Sequence, residues 1–318
     1  MSTAPRSLGI VMDPIAAINI KKDSTFAMML EAQRRGWVLF YMLQDSLFAD
    51  NGITFARMQP VQVQDDPKQW FTLGEPITQA LHQLDCVLMR KDPPFNMEYI
   101  YTTYLLELAE SQGLLVVNRP ESIRAANEKL FTAWFPEFSP ATRVTRDMQL
   151  IREFLAEQGH IVVKPLDGMG GSMIFQVRQD DPNRSVILET ITDHGRRTVM
   201  AQRFLPEFKQ GDKRILVIDG VPFPYGLARI PAEGESRGNL AAGATGVGSA
   251  LTPREQAICA SIGPVLKEMG LLFVGLDVIG DYVTEINVTS PTCIRELDKI
   301  YNANIAALLL AAIEQRLA

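Results

Sequence analysis

The sequence predicts an α/β chain that opens as an open parallel sheet and continues as antiparallel α+β structure. Three observations carry this. Residues 8–12 and 38–42 are apolar, β-branched runs on either side of a helical stretch at 25–35, a βαβ opening. Asp219-Gly220 and Gly280-Asp281 each separate two apolar runs, a hairpin signal. The chain has 318 residues, 47% hydrophobic and 21% charged, which suits a well-cored protein of about two domains.

The first strand ends at Asp13-Pro14. A polar loop at 13–24 follows it, where open α/β sheets place ligands. Ser24 or Asp23 is a fitting N-cap for the helix at 25–35, and Gly36 a fitting stop. Residues 45–76 are less regular, and 53–63 is expected to form a short hairpin or edge strands. Residues 85–89 form a buried strand that ends in Arg90-Lys-Asp-Pro-Pro-Phe95, where two prolines force a rigid turn. A helix at 99–110 and a strand at 114–117 complete this half.

A short helix is expected at 128–135, a strand at 140–145, and a helix at 148–157 closed by Gly159. Then come strands at 161–165 and 173–177, a helix at 187–192 and a strand at 198–204. The hairpin 213–218/222–227 follows. Residues 231–250 show no periodicity and contain glycines at 234, 238, 243, 246 and 248. A loop of that kind in a compact protein reads as a lid. The helix at 252–269 has Thr252 at its N-cap and Pro253 at its first position. The hairpin 271–279/282–286 and helices after Pro291 and at 304–317 close the chain.

The net charge of −6, with no basic cluster, argues against a nucleic-acid role. Three widely spaced cysteines, Cys86, Cys259 and Cys293, give neither a disulfide framework nor a zinc pattern. No apolar run is long enough to span a bilayer, and the first residues lack a signal-peptide core. A reducing, cytoplasmic setting without membrane or nucleic-acid partners is expected.

Two stretches carry chemistry. In Ile161-Val-Val-Lys-Pro-Leu-Asp-Gly-Met-Gly-Gly171 a strand delivers Lys164 to a loop with Gly168, Gly170 and Gly171. Successive backbone N–H groups in such a loop make an anion-binding concavity, and the lysine adds a charge suited to phosphate. A glycine-rich hairpin with a surface lysine fits these residues equally, so this stretch alone leaves both readings open. In the last hairpin Glu285 and Asn287 lie two apart on one strand face, and Asp277 reaches them across the pair. Two carboxylates and an amide oxygen are hard ligands for magnesium shared with phosphates. Charged positions balanced by Arg295 or Lys299 are the competing account. His82, His160 and His194 lie outside these motifs, so no nucleophile–base pair is evident. Phosphate binding, magnesium and scattered cations amount to phosphoryl-transfer equipment.

These residues resemble a known family. Lys129, the loop after Lys164, and Asp277 with Glu285-Ile-Asn287 look like an ATP-grasp nucleotide and metal site. Met12-Asp-Pro-Ile-Ala-Ala-Ile-Asn-Ile-Lys-Lys-Asp-Ser24, Met89-Arg-Lys-Asp-Pro-Pro-Phe95, Arg237-Gly-Asn-Leu-Ala-Ala-Gly243 and Thr284-Glu-Ile-Asn-Val-Thr-Ser-Pro-Thr292 resemble the bacterial glutathione synthetases. The likeness covers nearly the whole chain.

The resemblance implies an N-terminal α/β domain (1–128, substrate and dimerisation), a small ATP-grasp lid domain (129–202) and a catalytic domain (203–318) with an active-site loop at 231–250. It implies ATP-dependent ligation of γ-L-glutamyl-L-cysteine to glycine through an acyl phosphate, giving glutathione, ADP and phosphate. Another ATP-grasp carboxylate–amine ligase is the alternative. Lys129, Lys164 and the loop glycines Gly168, Gly170 and Gly171 would hold the phosphates. Gln202, Arg203, Phe204 and Leu205 would bracket adenine, with Asp212 near the ribose. Asp277, Glu285 and Asn287 would bind Mg2+, or Mn2+. Arg214, Arg229 and Arg237 would serve the transferring phosphoryl group and its acyl phosphate. Asp13, Lys22, Ser24, Ser290 and Thr292 would hold substrate. The family also implies a homo-oligomer, with a tetramer as one form. Residues 244–250 carry less charge than the family's lid leads one to expect.

Overall fold

The computed structural model describes residues 5–168, 171–232, 243 and 245–318. Three sheets organise them. The first runs Leu47–Asp50, Ile53–Val63, Val38–Met42, Ser7–Val11, Cys86–Met89, Leu115–Val117, with Phe71–Leu73 and Ile77–Ala80 also paired to Ile53–Val63. Ser7–Val11 is parallel to both of its neighbours, as a βαβ opening requires. The helix Ser24–Arg34 makes that crossover. Asp23 caps it by accepting from the Phe26 N–H at 2.6 Å.

The second sheet is antiparallel, in the order Phe175–Arg178, His160–Pro165, Val199–Arg203, Thr142–Thr145. The helix Met148–Gln158 presents Ile151, Phe154 and Leu155 to it, and Arg184–Ile191 adds Leu188 and Ile191. Each such fully buried side chain stabilises by roughly 1.5–3 kcal/mol. A charge at Phe154 would therefore open this small core. Gly159 ends the first of these helices with φ +73°, a left-handed value that glycine takes without a Cβ penalty.

The third sheet runs Thr245–Ala250, Val221–Ile230, Asp212–Ile218, Phe273–Ile279, Tyr282–Asn287, antiparallel throughout. The helix Pro253–Glu268 covers one face, started by a capping box between Thr252 and Glu255. Helices Ile294–Tyr301 and Ile305–Arg316 return to the first sheet. Their Ile294, Leu297, Ile305, Leu309 and Ile313 share one buried cluster with Phe26, Met28 and Met29. Buried Asn118 ties the two ends of the chain together. Its Nδ2 donates to the carbonyls of Phe273 and Val288 at 2.8 and 2.7 Å, and its Oδ1 accepts from the Phe273 N–H at 2.9 Å.

Three expectations need correction. Residues 53–63 form a single long strand, because its two halves pair with different neighbours on both edges. The helix expected at 128–135 is a 3-10 helix, Leu130–Trp134. The loop expected over 231–250 contains the edge strand Thr245–Ala250. That strand lacks apolar alternation because it is largely exposed. Its glycines serve contact: a Cβ on Gly248 would come within 2.6 Å of the Tyr301 hydroxyl. Residues 233–242 and 244, with Arg237, lie outside the described residues, as does Gly170.

Candidate active site

A cleft of about 640 Å³ lies between the second and third sheets and is lined at one end by Asn19 and Lys22, from the polar loop after the first strand. Its wall on the third sheet is fixed by strand register. Arg214 stands opposite Asp277, Asp277 opposite Glu285, and Asp212 opposite Arg229 on the neighbouring pair. Directly opposed residues share a sheet face. The Arg214 guanidinium grips Asp277 with two donors, Nε on Oδ1 and a terminal nitrogen 2.9 Å from Oδ2. Gly275 makes room for this: a Cβ there would lie 2.8 Å from Arg214 Cδ. Arg229 reaches Asp277 Oδ2 at 3.0 Å and Asp212 Oδ2 at 2.6 Å. Asn287 donates from Nδ2 to Asp277 Oδ2 at 3.2 Å and to the Gly275 carbonyl at 3.3 Å, so its carbonyl oxygen is the end available to a ligand.

The two aspartates titrate in opposite directions. Burial alone would raise Asp277, but Arg214 and Arg229 outweigh it and hold the carboxyl well below the usual range. Burial pushes Asp212 up to about 6; Arg229 opposes this, and Asp277 and Glu285 reinforce it. Asp212 Oδ1 is buried without a hydrogen-bond partner among the described residues. The balancing cations are thus Arg214 and Arg229. Arg295 instead pairs with Asp65, at 2.8 Å.

The facing wall carries lysines. Lys164 ends the strand His160–Pro165, is 5% exposed, and donates to the Thr284 carbonyl at 3.2 Å. Its Nζ is 3.8 Å from Glu285 Oε1. Burial lowers its ammonium, and Glu285 opposes that. Lys129 donates to Glu128 and, at 2.6 Å, to the Gly168 carbonyl, with Glu285 Oε1 3.7 Å away. Burial works against its charge, but Glu285 and Glu128 prevail and raise it. Gly168 has no room for a side chain, since a Cβ would meet Pro165 at 2.7 Å, and Gly171 sits at φ +76°. The strands on either side of the glycines do pair as an antiparallel hairpin, but the lysine is buried in the cleft wall and not at the surface.

Gln202, Arg203, Phe204 and Leu205 line the cleft where the strand Val199–Arg203 ends. Phe204 stacks on His160 with ring centres 4.0 Å apart, so that histidine backs the wall. Val162, Ile174 and Phe208 make this end apolar. At the other end Lys22, Ser290 and Thr292 reach the cleft, and Ser290 donates to Asp92 at 2.6 Å. Asp13 and Ser24 do not line it. Asp13 pairs with Lys91 at 2.9 Å, and buried Ser24 accepts from the Ile294 N–H at 3.2 Å. Seven polar lining residues are not among the candidate site residues of the sequence: Asn19, Asp92, Glu128, Gln176, Thr284, Thr289 and Glu296. Glu128 has a local signal, a carboxylate beside Lys129.

Among the described residues no three His, Cys, Asp or Glu are gathered as a ready metal site. Asp277, Glu285 and the Asn287 carbonyl are nevertheless oxygen donors of the kind that share a divalent ion with phosphate.

Comparison with known proteins agrees with this chemistry. Residues 7–124 match the prokaryotic glutathione synthetase N-terminal domain, and residues 128–302 match the prokaryotic glutathione synthetase ATP-grasp domain. The chain is 59% identical to the glutathione synthetase of Shewanella oneidensis over 310 residues, 98% of each chain. It is 60% identical to that of Pseudomonas aeruginosa over 311 residues, again 98% of each. Among solved structures, D-cycloserine synthetase DcsG superposes with a TM-score of 0.67 at 15% identity, covering 98% of this chain and all of that one. The ATP-grasp ligase PsnB, complexed with a minimal precursor, gives 0.64 at 16% identity, covering 99% and 100%. These two share the fold. The chain belongs to the prokaryotic glutathione synthetase family, ATP-grasp ligases that form glutathione with ATP and a divalent metal.

Proposed function

We propose that the cleft joins γ-L-glutamyl-L-cysteine to glycine, consuming ATP. The observation that supports this most is the buried ladder Asp212–Arg229–Asp277–Arg214 facing Lys129 and Lys164. A cysteinyl carboxylate oxygen attacks the γ-phosphorus, and ADP leaves. The glycine amine then attacks the acyl carbon, loses a proton, and displaces phosphate. Arg214 and Arg229 are held where negative charge develops on the transferring group, so little reorganisation is needed.

Lys129, Lys164 and the loop with Gly168, Gly170 and Gly171 would hold the nucleotide phosphates. Gln202, Arg203, Phe204 and Leu205 would bracket the adenine above the apolar floor, with Asp212 near the ribose. Asp277, Glu285 and Asn287 would hold Mg2+, or Mn2+, which would neutralise charge on the phosphates. Lys22, Ser290 and Thr292 would contact substrate; Asp13 and Ser24 would act from behind, by fixing the Lys91–Asp92 turn and the start of the helix Ile294–Tyr301. Residues 231–250, with Arg237, would shield the acyl phosphate from water.

The three sheets support a division into domains at 1–128, 129–202 and 203–318. No helix among the described residues is long and apolar enough to cross a membrane, which is compatible with a cytoplasmic enzyme. A homo-oligomer, with a tetramer as one form, is part of the same reading. The test is ADP release with γ-glutamylcysteine and glycine, each omitted in turn. Release should require both substrates. Release without either one, or none with both, overturns the assignment in favour of another carboxylate–amine ligase or a non-catalytic module.

A further inference from the structure

The strand His160–Pro165 turns alternate residues to one face. Lys164 and Val162 of that row line the cleft, and His160 is the next residue along it. About 13 Å of strand separates His160 from Lys164, so one face leads from the lysine toward the apolar end of the cavity. The His160 ring stacks on Phe204 with centres 4.0 Å apart and planes 22° apart. Its carbonyl accepts from the Phe204 N–H at 3.1 Å. Phe204 follows the strand Val199–Arg203, which pairs with one edge of His160–Pro165. The histidine thus holds Phe204 twice, by backbone and by ring, where the chain leaves the sheet and runs along the cleft through Leu205.

This ring is a polar group used as a flat apolar one. Its Nε2 is buried and has no hydrogen-bond partner among the described residues. Such an atom carries a cost. An aliphatic side chain would avoid that cost but would give Phe204 no ring to stack on. Burial and the charge of Arg178, opposite His160 on the other edge of the strand, hold the imidazole below its usual range, while Gln176 pulls the other way. The neutral ring stacks on Phe204 without a buried ion to desolvate.

We propose that His160 is a positioning residue for the nucleotide base: by fixing Phe204 from behind, it sets the segment against which the adenine lies. This rests on the reading of Gln202, Arg203, Phe204 and Leu205 as the base-holding segment. His160 acts on the base end of the nucleotide alone. The phosphate end belongs to Lys129 and Lys164, which it does not touch.

Inorganic triphosphate, which carries the phosphates without a base, separates the two ends. His160→Gln loses the stack and keeps a polar side chain of similar size. Its Kd for ATP, read by calorimetry, should rise roughly 3- to 10-fold, the range that one aromatic pair supports. Its Kd for triphosphate should stay within about twofold of wild type, which a general loss of structure would not allow. Its kcat at saturating ATP should also stay within about twofold, because the loss is in binding and not in the chemical step. His160→Phe keeps a ring behind Phe204 and should return ATP affinity to within about twofold of wild type. Phe204→Leu removes the same stack from its other side and should weaken ATP while sparing triphosphate, so the test stands even where a strand variant folds poorly. Unchanged ATP affinity in His160→Gln overturns the inference. So does equal weakening of ATP and triphosphate, or no recovery in His160→Phe. A wild-type enzyme that binds triphosphate as tightly as ATP overturns the reading of the base-holding segment instead.

Discussion

The two walls of the cleft hold their positive charges in different ways. On the sheet wall, Arg214 and Arg229 are locked to Asp277 by strand register and by paired guanidinium hydrogen bonds. On the loop wall, Lys129 and Lys164 rest on the carbonyls of Gly168 and Thr284 and share Glu285 at 3.7 and 3.8 Å. The guanidinium is planar and always charged, and its fork fits a carboxylate. The ammonium is a compact charge whose contacts exchange easily. In the proposed reaction the sheet wall would therefore be preorganised for developing charge, while the loop wall would change partners.

The sharpest way to break this contrast is Asp277→Ala. It strands the buried Arg214 guanidinium and leaves Arg229 with Asp212 alone, which should lower stability by about 3–5 kcal/mol. Denaturant unfolding reads that loss, and ADP release should fall to background. A variant of near-native stability would show that the ladder does not support the fold.

The next effect is a pH signature. With its folded-state value near 6 against 3.8 when unfolded, Asp212 takes up its proton earlier in the native state. Its contribution to stability is therefore greatest at low pH and is lost as pH rises from about 4 to 6, by at most about 3 kcal/mol. Asp277 has the opposite sign: its contribution is present above its unfolded value and falls away in acid. The stability difference between wild type and Asp212→Asn, followed from about pH 4 to 7, should slope in the first sense. A flat difference would mean that Arg229 fully compensates Asp212.

On the loop wall the expected effects move from stability to binding. Lys164→Ala should weaken ATP binding by roughly 10- to 100-fold, equivalent to about 1.4–2.8 kcal/mol. Its folding stability should stay within about 1 kcal/mol, because the lysine carries a burial cost of its own. Calorimetry and thermal unfolding on one sample separate the two. An unfolded variant, or unchanged nucleotide affinity, would contradict the distinction between the walls.

The contrast also decides what is legible in the sequence. Turn dipeptides mark both hairpins, and the two-residue spacing of Glu285 and Asn287 is enough to put them on one face. The partners of Asp277 cannot be read that way. Arg214 is 63 positions away and meets it only through the register of two strands. Glu128 resembles half of an ordinary charged surface pair, and its burial comes from the return of the strand Tyr282–Asn287, whose Ile286 N–H donates to the Glu128 carbonyl at 2.7 Å. Glu296 looks like one polar residue on an amphipathic helix. The strand Thr245–Ala250 stays hidden because an exposed edge needs no apolar alternation.

Glu285 has one further consequence. It touches both lysines of the loop wall and is also a proposed metal ligand. Four basic side chains, Lys129, Lys164, Arg214 and Arg229, thus share the cleft with four carboxylates, Glu128, Asp212, Asp277 and Glu285. The cavity carries its own counterions, so taking up a nucleotide with its divalent ion exchanges partners within a nearly neutral interior. Affinity for the metal–nucleotide complex should therefore respond weakly to ionic strength, changing less than about threefold between roughly 0.05 and 0.5 M salt, since buried pairs are screened much less than exposed ones.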